Sequence, residues 1–361
     1  MNRRDPTDPL RGRGSRSGPS GRFERFEVVG NEFVQTDEFD EEPSPRLRTE
    51  FFRDHSRSII ARNDSPDVGF EASINPYRGC EHGCAYCFAR PTHEYLGLSA
   101  GLDFEAKIFV KNEAPELLRA ALAAPSWNPT PLGLSGVTDP YQPVERRLGL
   151  TRRCLEVLAE FRHPVVVVTK NHLVTRDVDL LSSLAAHGAA AVFVSITTLD
   201  TELARTMEPR TSSPERRLEA IATLAGAGVP AGVLVAPVVP ALTDHELPSI
   251  LARAAQAGAR HAGYVVLRLP HGVKSLFAEW LEANYPQQRE KVLARVRALR
   301  DGKLYDSAFG SRLTGSGVFA DQIAQMFRVG CARHGLNKTR PRLTAEAFRR
   351  PPRGPQGDLF G

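Results

Sequence analysis

Three cysteines of this chain lie close together in the segment RGCEHGCAYCF, residues 78–88. Cys80, Cys84 and Cys87 follow the spacing Cys-x3-Cys-x2-Cys, and they are three of the five cysteines in 361 residues. In a reducing compartment, such a cluster indicates a metal site or reactive thiols, whereas a disulfide framework is typical of small secreted chains. The segment is therefore the first candidate for chemistry.

The number of thiols limits which metal centre this segment can form. Structural zinc requires four ligands, so His82 or His93 would have to join the three cysteines. Three buried thiols without a metal are another alternative, but the polar, glycine-rich flanks are unlike a core strand. Three thiolates can also hold three irons of a [4Fe–4S] cluster and leave the fourth iron open. The missing ligand would then be a substrate or a cofactor.

The elements that must position this segment follow an alternating pattern from about residue 70 onward. Short β-rich runs predict strands at 70–74, 106–111, 131–137, 164–169, 190–196, 231–237 and 263–269. Segments of helical period predict helices at 114–124, 146–161, 177–187, 214–227 and 244–257. Continuously apolar strands joined by helices indicate a parallel sheet covered on both faces. We therefore expect the reacting groups at the carboxyl ends of the strands, in an open sheet or a barrel.

Composition divides the chain into four parts. Residues 1–62 are rich in Arg, Gly, Ser, Pro and acids, and we predict that they are disordered. Residues 63–270 carry the alternating strands and helices. Residues 271–340 are predicted to form a helical extension, which includes a helix at 318–334, and residues 341–361 a flexible basic tail.

Charge and hydropathy restrict the compartment and the partners. The net charge is +5, and residues 328–361 hold eight Lys and Arg side chains against two acids. This basic end fits an anionic partner such as nucleic acid, and it fits a solvated tail equally well. The amino-terminal 21 residues lack an apolar signal region, and the longest apolar stretch, 229–242, is short and contains three prolines. We expect a cytoplasmic protein without a membrane partner.

The cysteine spacing, with the aromatic Tyr86 directly before the last cysteine, resembles the signature of the radical S-adenosylmethionine (SAM) superfamily. The resemblance spans residues 70–270 and implies that Cys80, Cys84 and Cys87 hold a [4Fe–4S] cluster. In that family the open iron binds the amino and carboxylate groups of SAM. After an external one-electron reductant has reduced the cluster, an electron from the cluster cleaves SAM to methionine and a 5′-deoxyadenosyl radical. The implied fold is α/β, a partial (βα) TIM-type barrel with the cluster loop after its first strand.

Polar residues at three strand ends extend the resemblance. The flanks SINPYRGCEHGCAYCFAR are similar to the DNA-repair-photolyase-like branch, which is related to spore photoproduct lyase. The resemblance places Tyr86 at the SAM site, and it places Thr138 and Asp139 near the amino acid and ribose of SAM. It places Lys170 near the SAM carboxylate and Ser195 near the ribose or methionine part, which suits a zwitterionic ligand. Lys170 could instead extend from a strand end into solvent, and Asp139 could serve a turn.

The chain departs from that branch at one chemically important point. Spore photoproduct lyase has a cysteine just before its polar SAM contacts and uses it to return a hydrogen atom, whereas the corresponding stretch here, LSGVTD, has none. Cys154 lies within a predicted helix and is interpreted as a core thiol. Cys331 could donate hydrogen if the extension folds over the pocket, and Tyr141 is an alternative donor.

The last six residues, QGDLFG, resemble the short peptide by which bacterial repair and replication proteins bind the DNA sliding clamp. Gln356 would supply the amide anchor, and Leu359 and Phe360 the two apolar side chains, on a flexible tether. A frayed terminus without a role is the alternative.

These observations favour a radical SAM enzyme that acts on nucleic acid, with lyase-like repair of a DNA lesion as the working hypothesis. Arg312, Arg333 and Lys338 are the candidate phosphate contacts. Two alternatives stay open. One is a radical SAM enzyme that modifies RNA, a peptide or a small molecule, and the other is a non-catalytic iron–sulfur or zinc module that binds DNA.

Overall fold

The strands of the molecule form two sheets. The computed structural model describes residues 12–15, 17–18, 22, 48–134, 136–339 and 342–351. The strands are β1 Glu50–Arg53, β2 Ile60–Arg62, β3 Ala72–Ile74, β4 Tyr77–Arg78, β5 Lys107–Val110, β6 Leu132–Leu134, β7 Val165–Thr169, β8 Ala190–Ser195, β9 Ala231–Val238 and β10 His261–Val266.

Helices lie between and after these strands. They are α1 Leu102–Ala106, α2 Ala114–Ala123, α3 Glu145–Leu148, α4 Leu150–Phe161, α5 Val178–Ala185, α6 Thr201–Met207, α7 Pro214–Gly226, α8 Leu247–Gln256, α9 Val273–Asn284, α10 Pro286–Ala298 and α11 Val318–His334. Short 3-10 helices cover Arg90–Leu96, His172–Asp177 and Asp244–Glu246. None of the helices in this described part of the chain has the length and apolar character that a membrane span requires.

The larger sheet forms the core of the fold, in the order β10-β9-β8-β7-β6-β3-β2. Neighbouring strands from β3 to β10 are parallel, and β2 pairs antiparallel with β3 at one edge. Valine and alanine dominate the central strands, whose residues are mostly buried, as expected for parallel strands with both faces covered. The described strands leave β10 and β2 as separate edges, so the predicted partial (βα) barrel of an α/β fold is confirmed.

The strand predicted at 106–111 forms, but it does not belong to this sheet. As β5 it pairs parallel with β1 and antiparallel with β4 in the order β1-β5-β4. Its residues alternate between buried and half-buried, as expected for a strand with one covered face. The main sheet therefore passes directly from β3 to β6, and the segment that carries the cysteines leaves the barrel between them.

Two strands lie inside the range 1–62, where the composition predicts disorder. β1 pairs with β5, and β2 pairs with β3. The short apolar runs around Phe51 and Ile60 supply these strands, and Ile59 is buried in the main core. Composition averaged over the whole segment hides these two runs, so the disorder prediction does not hold for the strands β1 and β2.

Most predicted helices occur with small changes at their ends. Ser213 caps α7, its side chain accepting a hydrogen bond from the Arg216 amide, and Pro214 begins the helix as the sequence predicts. The helix predicted at 146–161 is divided at Gly149, whose φ of 61° ends α3. The helix α6 has no counterpart in the sequence predictions.

The helical extension after β10 covers the open edge of the barrel. The amide of Val266 donates to Leu313 O (2.8 Å). The Asn337 side chain accepts from the Ala262 amide (2.9 Å) and donates to its carbonyl (3.0 Å). These bonds satisfy backbone groups of β10 that would otherwise remain an unpaired edge.

Candidate active site

The cysteine loop follows β3 and β4 at the carboxyl end of the sheet. Cys80 and Cys84 are buried, Cys87 is half-buried, and all three thiols are free of disulfides. The amide of Cys80 donates to Phe104 O (2.9 Å), and the amide of Cys87 to Cys84 O (3.2 Å). Gly83, with a φ of 66°, makes the turn between the first two cysteines, a backbone conformation that favours glycine. The loop is therefore held by its own backbone.

Burial favours the protonated form of the Cys84 and Cys87 thiols when no metal is bound. Burial, and next the Glu208 carboxylate, raises the pKa of Cys84 well above its ordinary value. Burial raises the pKa of Cys87 to about 11, although the Arg90 cation opposes the change. Iron binding must therefore displace the protons, as is usual when metal ligands are thiols.

The donor set fits an iron–sulfur cluster better than zinc. In the described ranges, no three His, Cys, Asp or Glu side chains converge where one metal ion could bind. A zinc ion needs four ligands around one point, whereas a cluster takes each thiolate on a different iron. His93 Nε2 lies 2.9 Å from Lys107 O, and His82 contacts Asp139 and Asn171. Both candidate zinc histidines are thus engaged by the protein itself.

A buried ion pair fixes the backbone of the cysteine loop. Arg90 is fully buried and donates to Cys84 O through Nε (3.0 Å) and Nη2 (2.8 Å). The same side chain donates to Gly101 O (2.9 Å) and pairs with Glu105, which is also fully buried (2.5 Å). Sequence reasoning did not identify this pair, because Arg90 ends the recognised segment without an assigned role and Glu105 lies outside that segment.

Residues 12–15, which we call the N-terminal strap, lie against the cysteine loop. The amides of Gly14 and Ser15 donate to the two carboxylate oxygens of Glu105 at 3.0 and 2.8 Å. A Cβ at Gly14 would lie 1.6 Å from Gly83 O, so only glycine fits there. The strap belongs to the range predicted as disordered, and its close approach to the loop could not be deduced from composition.

Gln142 connects the loop after β6 to the cysteine loop. Its side chain accepts from the Glu81 amide (2.9 Å) and donates to Gly79 O (3.2 Å). Glu81 in turn accepts from the Val144 amide (2.6 Å). These reciprocal bonds fix the position of the cysteines relative to the strand ends. Gln142 was not predicted as a site residue.

Asp139 joins three parts of the site. One carboxylate oxygen accepts from the Tyr141 amide (2.9 Å) and from Thr169 Oγ1 (2.7 Å). The other accepts from the Lys170 amide (2.7 Å) and lies 3.4 Å from His82 Nδ1. Burial alone would raise the pKa of Asp139, but His82 and these donors outweigh it and lower the pKa. The ionised side chain therefore connects β6, β7 and the cysteine loop.

Tyr86 and Lys170 meet at a buried glutamate that the sequence analysis did not select. Glu208, directly after α6, accepts hydrogen bonds from Tyr86 Oη and from Thr197 Oγ1 (2.7 Å). Arg217 Nη2 donates to Glu208 Oε2 (2.5 Å), and Lys170 Nζ lies 4.0 Å from Glu208 Oε1. We call Tyr86, Lys170, Thr197, Glu208 and Arg217 the Glu208 network.

The electrostatics of this network favour an ionised carboxylate. Burial alone would raise the pKa of Glu208, but the Arg217 and Lys170 cations outweigh it and lower the pKa to about 2. Lys170 Nζ also donates to Ala236 O (3.0 Å) and lies 5.9 Å from the centre of the Tyr86 ring. The lysine predicted near the SAM carboxylate is therefore held at the carboxyl ends of β7 and β9.

Ser195 and Thr138 occupy the remaining predicted positions. Ser195 ends β8, is buried, and its carbonyl accepts from Arg217 Nη1 (3.1 Å), which connects it to the Glu208 network. Thr138 is buried in the loop after β6, and its hydroxyl donates to Tyr77 O at 3.5 Å. The structure thus brings Tyr86 and Lys170 together at Glu208 and connects Ser195 to the same network through Arg217. It places Thr138 beside the strand that precedes the cysteines.

Residues considered for hydrogen-atom return lie in different surroundings. Cys154 is fully buried in the main core, as predicted. Cys331 is buried on α11, and its Sγ lies 3.7 Å from Nδ2 of Asn337, the residue that covers the edge of β10. Tyr141 is also fully buried in the main core.

The basic candidates differ in their availability. Arg312 pairs with Asp67 (2.5 Å), whereas Arg333 and Lys338 are exposed. The clamp-like residues Gln356, Leu359 and Phe360 lie outside the described residues.

Relatives of this chain match about two thirds of its length. An uncharacterized protein of Mycobacterium tuberculosis is 39% identical over 232 residues, which are 64% of this chain and 67% of the relative. An uncharacterized protein of Methanocaldococcus jannaschii is 27% identical over 230 residues, which are 64% of this chain and 82% of the relative.

Solved structures share the fold. Spore photoproduct lyase complexed with dinucleoside spore photoproduct has a TM-score of 0.57 at 18% identity, over 84% of this chain and 86% of the other. A mutant of that enzyme with bound AdoMet and dinucleoside spore photoproduct has a TM-score of 0.55 at 18% identity, over 79% and 80%. The profile described as Radical SAM superfamily matches residues 74–254. This chain belongs to the radical SAM superfamily, whose members use a [4Fe–4S] cluster and SAM.

Proposed function

We propose that this radical SAM enzyme acts on nucleic acid, and that repair of a DNA lesion by a lyase-like reaction is its activity. The observation that carries the proposal is the combination of the three-cysteine loop with a fold shared with spore photoproduct lyase. That similarity extends over 84% of this chain, and the solved neighbour holds a dinucleoside photoproduct.

The chain's own residues have distinct tasks in this proposal. Cys80, Cys84 and Cys87 hold the cluster, and Lys170 offers its ammonium group to the SAM carboxylate. When bound, the cluster and SAM supply a 5′-deoxyadenosyl radical after reduction by an external one-electron donor. Glu208 orients Lys170 and Tyr86 through contacts that exist before any ligand arrives.

Apolar packing supports the exclusion of water from the reacting atoms. Cys84 and Tyr86 belong to a second core cluster, together with Val239, Leu267 and side chains of α9 and α10. The Trp280 indole donates to Thr206 O (3.0 Å) and fixes α9 against α6. A closed apolar wall is needed because the deoxyadenosyl radical abstracts hydrogen from any group that it meets.

The hydrogen-atom donor is a separate question from SAM cleavage. The stretch from Leu134 to Asp139 contains no cysteine, so the proposed lyase reaction requires a different donor from that of spore photoproduct lyase. Cys154 is excluded by its complete burial in the main core. The proposal therefore concerns substrate class and radical generation, and assigns no donor.

Anaerobic reconstitution tests the radical step. Wild-type protein with iron, sulfide, dithionite and SAM is expected to release 5′-deoxyadenosine, measured by chromatography. Cys84→Ala should lose both the cluster absorbance and this product. Cys331→Ala is the matched control, because Cys331 is a buried thiol on α11 outside the cysteine loop. Retention of cluster and product by Cys84→Ala would overturn the assignment of the cluster ligands.

The substrate class is tested by deuterium transfer into 5′-deoxyadenosine. Deuterated DNA oligonucleotides that carry ultraviolet lesions should transfer deuterium, and matched RNA, peptides and undamaged DNA serve as comparisons. Transfer from RNA or a peptide alone would replace the proposed substrate. SAM cleavage without transfer from any nucleic acid would also refute it.

The carboxyl-terminal peptide carries a second, independent part of the proposal. Gln356, Leu359 and Phe360 are proposed to bind the DNA sliding clamp, because an amide and two apolar side chains fit a preformed groove. Purified clamp should retain the wild-type protein, and the Leu359→Ala/Phe360→Ala variant should be lost. Equal retention of both proteins would end this part.

A further inference from the structure

An aromatic side chain is exposed directly beside the buried cysteine loop. Phe88 follows Cys87 in the chain, and 46% of its surface is exposed. A single exposed apolar side chain is ordinary on a protein surface, so its significance depends on the groups beside it. No role in holding the cluster or SAM has been assigned to this ring.

An arginine from the segment after the last strand of the sheet lies over the same ring. Arg268 follows the carboxyl end of β10, and its guanidinium carbon is 5.1 Å from the centre of the Phe88 ring. The pair therefore joins the cysteine loop to the last strand of the sheet. Carboxyl ends of parallel strands are where barrel enzymes bind their substrates.

Arg268 differs from the two fully buried arginines of the active site. Arg90 and Arg217 each pair with a buried carboxylate. Arg268 pairs with no acid among the residues that the structure describes, and its buried Nε has no hydrogen-bond partner there. A cation that is left without a carboxylate at a ligand-facing position is suited to bind a phosphate.

The backbone beside Arg268 is held by a neighbouring cation. Arg300 is buried and donates to Leu267 O through Nη2 (3.0 Å) and to Ser311 O through Nη1 (3.0 Å). The nearby Asp306 carboxylate accepts from Ser311 Oγ (2.6 Å) and from the Ala308 amide (2.9 Å). Asp306 is therefore used by its own loop, and no ion pair joins it to Arg268 in the described part of the chain.

We propose that Phe88 and Arg268 form a nucleotide subsite, in which an unstacked base packs on the exposed part of the Phe88 ring and Arg268 contacts the adjacent phosphate. Aromatic rings bind bases of any sequence by stacking, and arginine adds charge and planar contact. This inference rests on the proposed nucleic-acid substrate. It adds that the enzyme binds single-stranded nucleotides or a nucleotide extruded from a duplex.

The molecule offers a matched control pair. Phe309 is also exposed and has Arg312 above its ring, with the guanidinium carbon 4.4 Å from the ring centre. Arg312, however, is paired with Asp67. The two pairs therefore share their geometry and differ in whether the cation is neutralised.

Equilibrium binding of a labelled single-stranded oligonucleotide tests the inference, with DNA and RNA of one sequence measured separately. Phe88→Ala and Phe88→Leu should each weaken binding about tenfold or more, because both remove the stacking surface. Phe309→Ala should bind within about twofold of the wild type. Arg268→Gln should lower the slope of log K against log salt by about 0.7, as expected for one phosphate contact on a single strand. Iron content checks that the cysteine loop is intact in each variant.

The outcomes separate this subsite from the proposed function. If the wild type binds the oligonucleotide and Phe88→Leu binds equally well, the subsite is refuted while the nucleic-acid proposal stands. If the wild type binds neither DNA nor RNA, the proposed function fails and the subsite with it. A tenfold loss for the Phe88 variants with full iron content and an unchanged Phe309→Ala supports the subsite. Preference for DNA or RNA identifies which nucleic acid occupies it.

Discussion

Arg90 and Arg217 are both fully buried and each pairs with a buried glutamate, yet the two pairs bond to different parts of the site. Arg90 donates to backbone carbonyls, including that of Cys84, so its pair fixes the course of the cysteine loop. The partner of Arg217 is Glu208, which accepts from Tyr86 and so fixes side chains. One pair therefore holds the cysteine loop, and the other holds side chains that we propose to lie around SAM.

Two buried ion pairs occur in one small site although each is costly to desolvate. Buried pairs are costly to desolvate and are often no more stable than apolar replacements. Their benefit here is position, because a charged partner with several donors or acceptors can hold several groups at once. If the comparison is right, breaking the two pairs must produce different defects.

The largest effect is expected from Arg90→Met. The substitution leaves the buried Glu105 carboxylate without its cation and removes two bonds to Cys84 O. Loss of one partner of a buried pair costs about 3–5 kcal/mol. Denaturant unfolding of the metal-free protein should show this loss, and reconstituted protein should contain little iron.

The double variant Arg90→Met/Glu105→Leu separates the charge from the bonds. Removing both charges should restore much of the free energy of unfolding. Iron content should stay low, because the bonds to the Cys84 carbonyl are still missing. Full recovery of iron would show that the pair acts only through stability.

The second-largest effect is expected in the pH dependence of the unfolding free energy, through the ionised Glu208 carboxylate. The pKa of Glu208 is lowered from 4.5 to about 2 in the folded state, against burial, by Arg217 and Lys170. A depressed carboxyl pKa contributes stability that is present above the unfolded pKa and is lost as the pH falls through the folded pKa. The contribution amounts to about 3 kcal/mol and should disappear between about pH 4.5 and pH 2.

The control for this pH dependence is a carboxylate without burial. Glu208→Gln should flatten the fall in unfolding free energy within the acid window, whereas Glu202→Gln, an exposed residue paired with Arg205, should not change it. An identical slope for the wild type and Glu208→Gln would contradict the ionised buried carboxylate.

At neutral pH, Glu208→Gln should weaken SAM binding without loss of iron. The amide keeps the shape of the side chain, but it leaves Arg217 and Lys170 without their anion and no longer orients Tyr86 as strongly. We expect about tenfold weaker binding of SAM to the reconstituted protein, measured by equilibrium dialysis. If Glu208→Gln lost iron and kept its affinity for SAM, the two buried pairs would not have the different tasks that we assign to them.

The cysteines and the strand ends were predictable because their signals are local. Cys80, Cys84 and Cys87 lie within one short segment, and runs such as that of β7 are apolar without interruption. Lys170 and Ser195 were located by the same logic, since each follows or ends such a run. Local patterns therefore predicted most strands of the main sheet, its carboxyl edge and the cysteine segment, whereas the roles of these residues came from the family resemblance.

The residues that hold these groups in place were not predictable, because their partners are distant in sequence. Tyr86 and Glu208 are joined only after the barrel has folded, and α6, which precedes Glu208, is a short helix without a strong periodic signal. The sheet to which β5 belongs could not be predicted for a related reason. Its partner strands, β1 and β4, were not predicted from the sequence.

The N-terminal strap offers the smallest and most specific test. Gly14→Ala would place a Cβ 1.6 Å from Gly83 O, so the strap must move away from the cysteine loop. Glu105 would then lose its bonds from the Gly14 and Ser15 amides, while its pair with Arg90 would remain. The cluster should still assemble and cleave SAM, but it should lose iron to a chelator several-fold faster than in the wild type.

The matched control for the strap is Gly69→Ala, because a Cβ there meets nothing within 4 Å. Iron release from this variant should equal that of the wild type. The strap variant belongs with the Arg90 pair and not with the Glu208 pair, since it acts on the loop backbone. Its affinity for SAM should therefore be unchanged while iron release accelerates. A loss of SAM affinity with normal iron release would show that the strap acts on the Glu208 network and not on the cysteine loop.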